Sequence, residues 1–298
     1  MPGLVGRQAL TVFGMPLGQP GVNESQRAVL ARAHASFVES MSKRVRVYRW
    51  QARDARLGRT VLIVHGWASR AGRMVDWVDP LTAAGYDVVA LDLPAHGESQ
   101  GRSANITEMA CAVRRVAEEC GPIYAFMTHS FGALVSARAL SQGDPKYGAK
   151  VEIERLIMVG APISLYELAN RFGEWVGLSE KGLAAHNERC REVIDHPWER
   201  YDIPSLLSEL EAPTLAIHDR NDKEQPVENC AFISSRLRHA RCMVTDGLGH
   251  RRILQDPAVI ARCIAFLADA DADTGPSAAE PEAAASEPEA AATPTEHA

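Results

Sequence analysis

Ile123-Tyr124-Ala125-Phe126-Met127-Thr128-His129-Ser130-Phe131-Gly132-Ala133-Leu134-Val135-Ser136-Ala137-Arg138-Ala139-Leu140 joins two apolar runs through a short polar apex. The first run has the unbroken hydrophobicity of a strand covered on both faces, and the second suits a helix. Ser130 stands at the sharp turn between them. A serine hydroxyl titrates far above neutrality and is a weak nucleophile, so a tight strand-to-helix turn that lifts it clear of the backbone lets a base reach it. The same turn puts the Phe131 amide at a helix N-terminus, where unpaired N–H groups and the helix dipole favour negative charge.

Strand and helix signals alternate on either side of this stretch. Residues 45–50 alternate with period two, as in a half-buried strand, and residues 60–64, 87–91, 155–159, 214–217 and 241–244 read as further strands. Helices are expected over 105–119 and 257–268. This alternation predicts an α/β fold with a mostly parallel central sheet flanked by helices. Asn23 is placed to cap a helix from about residue 24 to 41, so residues 1–42 are expected to form an N-terminal extension and helix packed on the core, and 43–271 the main domain. Between Val159 and Thr214 the rhythm breaks for longer than one crossover helix needs. Amphipathic stretches there predict a small helical cap at about 162–208, inserted after the sixth core strand, with Phe172, Trp175 and Trp198 as candidate pocket residues. Residues 272–298, rich in Ala, Glu and Pro, have nothing to bury and are expected to be disordered.

Charge becomes informative once located. The chain carries a net charge of −6, and Glu280, Glu282, Glu287, Glu289 and Glu296 supply most of it, leaving the rest near neutral. No basic patch argues for nucleic acid. Cys111, Cys120, Cys190, Cys230, Cys242 and Cys263 lack Cys-x-x-Cys spacing and read as reduced core residues, which fits a cytoplasmic setting. The apolar run from Ala9 to Phe13 is too short for a signal segment, and no stretch approaches a membrane span. Neither a His-Glu-x-x-His zinc site, nor a phosphate loop, nor a dinucleotide fingerprint is present, so no metal or organic cofactor is expected.

Two loops complete the reading. His218-Asp219-Arg220-Asn221-Asp222-Lys223-Glu224-Gln225-Pro226-Val227 follows one expected strand, and Thr245-Asp246-Gly247-Leu248-Gly249-His250 follows the last. Functional groups on open α/β sheets collect at the C-terminal ends of strands. Ser130, an acid (Asp219 or Asp222) and His250 therefore occur in the chain order used by serine hydrolases built on such a sheet. His65-Gly66-Trp67 follows the strand over 60–64, and Gly66 lets the backbone approach closely enough for the Trp67 amide to join that of Phe131 in an oxyanion site. His65, His96 and His129 read as loop-orienting residues.

Val64-His65-Gly66-Trp67, Leu91-Asp92-Leu93-Pro94-Ala95-His96-Gly97-Glu98-Ser99, Thr128-His129-Ser130-Phe131-Gly132, His218-Asp219-Arg220-Asn221-Asp222 and Gly247-Leu248-Gly249-His250 together resemble the α/β-hydrolase fold superfamily. The likeness runs from Val45 to Leu267. It implies Ser130 as nucleophile, His250 as general base and then acid, and Asp222, four residues before Pro226, as the group that orients the imidazole. One position departs from the pattern: Thr128 stands two residues before the serine, where glycine is usual in this elbow. The expected activity is cleavage of a small carboxylic ester through an acyl-enzyme intermediate, with a small-molecule acyl substrate as the partner. Thioester, amide, lactone or carbon–carbon cleavage and acyl transfer use the same three residues. A binding protein that keeps the fold without turnover is the reading from another class. Oligomeric state is not legible in the sequence.

Overall fold

The continuous apolar segments become the middle of an eight-stranded sheet in the computed structural model, which describes residues 2–54, 57–141, 149–194 and 197–268. Its strands are β1 (His34–Ser40), β2 (Lys43–Trp50), β3 (Arg59–Val64), β4 (Tyr86–Leu91), β5 (Ile123–His129), β6 (Arg155–Val159), β7 (Thr214–Asp219) and β8 (Ala240–Thr245). Their spatial order is β1-β2-β4-β3-β5-β6-β7-β8. β1 and β2 run antiparallel to the neighbours they pair with, while β3 to β8 are mutually parallel. β5, β6 and β7 are buried at every position, as their unbroken hydrophobicity requires.

The helices are α1 (Pro2–Phe13), α2 (Glu24–Ala31), α3 (Val78–Ala83), α4 (Ile106–Cys120), α5 (Phe131–Leu140), α6 (Leu165–Trp175), α7 (Glu180–Val193), α8 (Ile203–Leu206), α9 (Glu228–Arg236), α10 (Gly249–Arg252) and α11 (Pro257–Ala268). Asn23 and Asn105 each accept a hydrogen bond from the backbone three residues on and close a capping box, which sets the starts of α2 and α4. Separate apolar cores cover the two faces of the sheet. The segment between β6 and β7 is helical, as expected, and holds α6, α7 and α8.

Three expectations need correction. Residues 34–40 are a strand, not the continuation of the helix that begins at Glu24. β1 folds back on β2 through Met41 and Ser42, both with positive φ, the two-residue turn whose twist matches a hairpin. Phe37 fits a helical period with Val29, Leu30 and Ala33, which disguised the hairpin. The Gly/Pro-containing N-terminal stretch carries α1, a helix of its own. Finally, Cys230 and Cys242 are joined in a disulfide with Cα atoms 5.5 Å apart, because α9 packs on β8 and brings the sulfurs together. Cys111, Cys120, Cys190 and Cys263 are free. The pairing removes the cysteine-based case for a reducing compartment. Among the described residues no helix is long and apolar enough to cross a membrane. The expected disordered tail lies outside the described residues.

Candidate active site

β5 ends at His129, α5 begins at Phe131, and Ser130 alone makes the turn. Its backbone has φ 53° and ψ −130°, a conformation that L-residues rarely adopt and that is held by a hydrogen bond from the Ser130 amide to the Val159 carbonyl (2.9 Å). The close approach is between the start of α5 and the end of β3, at Gly132, where a side chain would collide with the carbonyls of Val64 and His65. Thr128 therefore fits without being glycine. It is fully buried, and its hydroxyl donates to the Ile157 carbonyl of β6 (3.0 Å), so the branched side chain points along the sheet and away from the crowded helix start.

The loop after β3 lies against this turn. A Cβ on Gly66 would stand 2.9 Å from the Ser130 Cβ, so the missing side chain is what lets the two backbones meet. Neither the Trp67 nor the Phe131 amide donates to an acceptor among the described residues. The two rings meet edge to face with centroids 5.5 Å apart. His65 ties this loop to the next one: its Nε2 accepts from the Leu93 amide (3.0 Å), leaving Nδ1 to donate to the Gly66 carbonyl (2.8 Å). His96 likewise accepts from the Ala68 amide at Nε2 (3.1 Å) and donates from Nδ1 to the Pro94 carbonyl (3.0 Å). Burial drives both imidazoles down, His65 to about 4 and His96 to about 3. They stay neutral and hold loops, as expected of them.

On the opposite side, His250 is the second residue of the short helix α10 and is 8% exposed. Its Nδ1 lies 2.7 Å from Asp222 Oδ2. An ionised carboxylate only accepts, so the proton is assigned to Nδ1 and the lone pair to Nε2. Asp222 Oδ1 accepts from the Glu224 and Gln225 amides (2.7 and 2.9 Å). Burial pushes the Asp222 carboxyl up, but the hydrogen bond and charge of His250 and the two amides outweigh it and hold it below its ordinary value. Asp219, the rival acid, faces other donors. It accepts from the amides of Asn221, Leu248 and Gly249 and from the Thr245 hydroxyl, so it braces the loop that carries His250.

His129 links the two sides. Its ring is 4.6 Å from that of His250 and its Nε2 donates to the His250 carbonyl (2.9 Å). Burial and the neighbouring His250 lower it to about 3, so it too remains neutral. The hydrogen bonds of the described residues include none between the Ser130 hydroxyl and the His250 ring. Nε2 instead faces Glu224 Oε2 at 3.6 Å, and the other Glu224 oxygen is 3.2 Å from Arg251. Glu224 lay within the quoted loop but drew no attention in the sequence. Gly160 was also missed, although a glycine directly after an expected strand was the available signal: the His250 ring would lie 3.1 Å from a Cβ placed there.

A cavity of about 670 Å³ opens beside Trp67 and Phe131. Phe172 and Trp175 are among the residues that line it. Trp198 does not; it is buried in the core and meets Tyr166 edge to face. Phe13, read in the sequence only as the end of a short apolar run, lines the cavity from α1. Cys190 also lines it, 3.7 Å from His186 Nε2, but burial pushes the thiol up to about 12 and the imidazole down, so the pair is neutral rather than an activated thiolate.

A family model described as the alpha/beta hydrolase family matches residues 61–291. An 82-residue stretch is 43% identical to the dihydrolipoyllysine-residue acetyltransferase component of the acetoin cleaving system of Cupriavidus necator, covering 26% of this chain and 22% of that protein. The chain thus matches about a fifth of that relative's length. Among solved structures, the esterase Pf2001 of Pyrococcus furiosus superposes with a TM-score of 0.60 at 19% identity over 84% of this chain and 96% of that one. A putative lipase from Acinetobacter baumannii AYE gives 0.59 at 19% identity over 84% and 98%. At these identities the likeness is one of fold.

Proposed function

The chain belongs to the alpha/beta hydrolase family, and on that premise we propose that it is a serine hydrolase that cleaves a small carboxylic ester through an acyl-enzyme intermediate. The observation that carries this reading is the buried 2.7 Å contact between His250 Nδ1 and Asp222 Oδ2, which assigns the basic lone pair to Nε2 in a chain whose Ser130 sits in a positive-φ elbow.

Substrate binding brings the Ser130 hydroxyl to Nε2, a contact that often tightens only in the substrate complex. Oγ attacks the ester carbonyl as its proton moves to Nε2, and the carbonyl electrons move onto oxygen, to which the Trp67 and Phe131 amides donate hydrogen bonds. Collapse of the tetrahedral intermediate expels the alcohol, which takes the proton from Nε2. Water then attacks the acyl-enzyme by the same route and releases the acid. Asp222 stays ionised throughout, keeping Nδ1 protonated and stabilising the imidazolium.

Labelling with a fluorophosphonate probe tests the reading. The parent protein should be labelled at Ser130, and Ser130→Ala should abolish both labelling and turnover of a chromogenic ester. Equal labelling of parent and variant overturns the assignment. No labelling of the folded parent favours a binding protein on this fold.

A further inference from the structure

We propose that α1 and the residues that follow it form the outer wall of an acyl pocket, that this pocket takes a medium-chain alkanoyl group, and that Phe13 sets the accepted chain length. The inference rests on the hydrolase reading above. The cavity is far larger than an acetyl group needs and falls in the ~300–1,000 Å³ range of small-molecule sites. Trp67 and Phe131, whose amides would hold the oxyanion, are among its lining residues.

Placement of the ester follows from the proton path. His250 must return its proton to the leaving oxygen, so the alcohol lies by Nε2, where Glu224 and Arg251 border the cavity. They are the charged members of its lining among the described residues. The acyl substituent turns the other way, toward Ile106, Leu165, Phe172 and Phe13. That end is apolar and built from four separate elements, α1, α4, α6 and α7.

Phe13 closes it. Its ring centroid lies 5.1 Å from that of Phe172, 5.4 Å from His186 and 6.4 Å from Trp67, so it bridges the cap helices and the loop after β3. The wall is fixed in place rather than adventitious. Gln19 donates to the Ala95 carbonyl (2.9 Å) and accepts from the Gly97 amide (2.8 Å), and the Gly14 carbonyl accepts from the Ala104 amide (3.0 Å). α1 itself packs along α7.

The experiment measures kcat/KM for p-nitrophenyl acetate, octanoate and palmitate with the parent, Phe13→Ala and Phe13→Leu. The parent should favour octanoate over acetate by about tenfold or more, and Phe13→Ala should raise the palmitate-to-octanoate ratio about tenfold. Phe13→Leu keeps apolar packing on Phe172 and should shift the same ratio less, so the reading survives a misfolded alanine variant. A parent that prefers acetate, or ratios unchanged in both variants, overturns the wall while leaving the hydrolase reading intact. Absence of all ester turnover and of Ser130 labelling instead sinks the hydrolase reading. The wall is then read from quenching of tryptophan fluorescence by octanoate, which should bind Phe13→Ala about tenfold more weakly than the parent; equal affinity overturns it.

Discussion

The elbow side of the site and the roof of its cavity are built on different principles. Around Ser130, strand ends, a helix start and three neutral histidines interlock through backbone hydrogen bonds, and His65, Thr128 and His129 are nearly or completely buried. The roof is made of α1, α6 and α7, where Trp175 is 79% exposed and Leu4 is 58% exposed. Reacting atoms have to be held to within fractions of an ångström, whereas an acyl pocket needs only shape and apolar surface. On the proposed reading, chemistry is placed where the sheet leaves no freedom, and selectivity where helices can be exchanged.

The sharpest way to break this comparison is at Asp222. In Asp222→Asn the two backbone donors at Oδ1 keep the amide oxygen on their side, so the NH₂ group faces His250 Nδ1. The ring must then accept at Nδ1 and carry its proton on Nε2, where it cannot serve as base. Esterase kcat should fall by about 10⁴-fold with the melting temperature little changed. Asp219→Asn makes the contrast. All its partners are donors or a hydroxyl, so at least one backbone N–H loses its acceptor, and stability should fall by about 1–3 kcal/mol. A kinetic loss at 219 equal to that at 222, without loss of stability, would exchange the two roles.

A second test is pH. His65, His96 and His129 have folded values near 4, 3 and 3, depressed by burial from an ordinary value near 6.5. Below pH 6.5 the unfolded chain takes up protons that the folded chain refuses, so stability falls as pH drops through this window, with the His65 contribution levelling off near pH 4 and those of His96 and His129 near pH 3. Each imidazole contributes about 1.4 kcal/mol per pH unit. Asp219 and Asp222, also depressed, add a loss at lower pH, whereas Asp92, raised by burial, acts in the opposite sense. Urea midpoints at pH 7 and pH 5 measure the slope. A flat profile would mean that the elbow is looser than its hydrogen bonds indicate.

The same division governs what could be read from the chain alone. Strands β5 to β7 announce themselves because burial on both faces demands unbroken apolar runs, the edge strand β8 is legible despite lacking that burial, and Ser130, Asp222 and His250 each follow one of these strands. The β1–β2 hairpin stayed hidden because Met41-Ser42 carries none of the Gly or Asn that usually marks such a turn. The Cys230–Cys242 pairing depends on how α9 lands on β8, which no local pattern encodes. The roof was half legible: Phe172 and Trp175 lie on amphipathic helices, but Phe13 belongs to a short apolar run whose partner, α7, is far away in sequence. Tertiary packing, not propensity, assigns it.

A smaller effect is expected at Gly132. In Gly132→Ala the new methyl meets the carbonyls of Val64 and His65, and separating α5 from β3 disturbs the turn that holds Ser130. Overpacking of this kind costs about 1–3 kcal/mol and should lower the melting temperature and kcat together. The smallest effect belongs to the roof. Trp175 contributes its ring to the rim of the cavity and rests at 6.2 Å from Phe172, with most of its surface in solvent. Trp175→Ala should leave stability within about 0.5 kcal/mol of the parent. A loss above about 2 kcal/mol in urea denaturation would show that the roof is keyed to the core as tightly as the elbow is, and the separation of chemistry from selectivity would fail at its weakest joint.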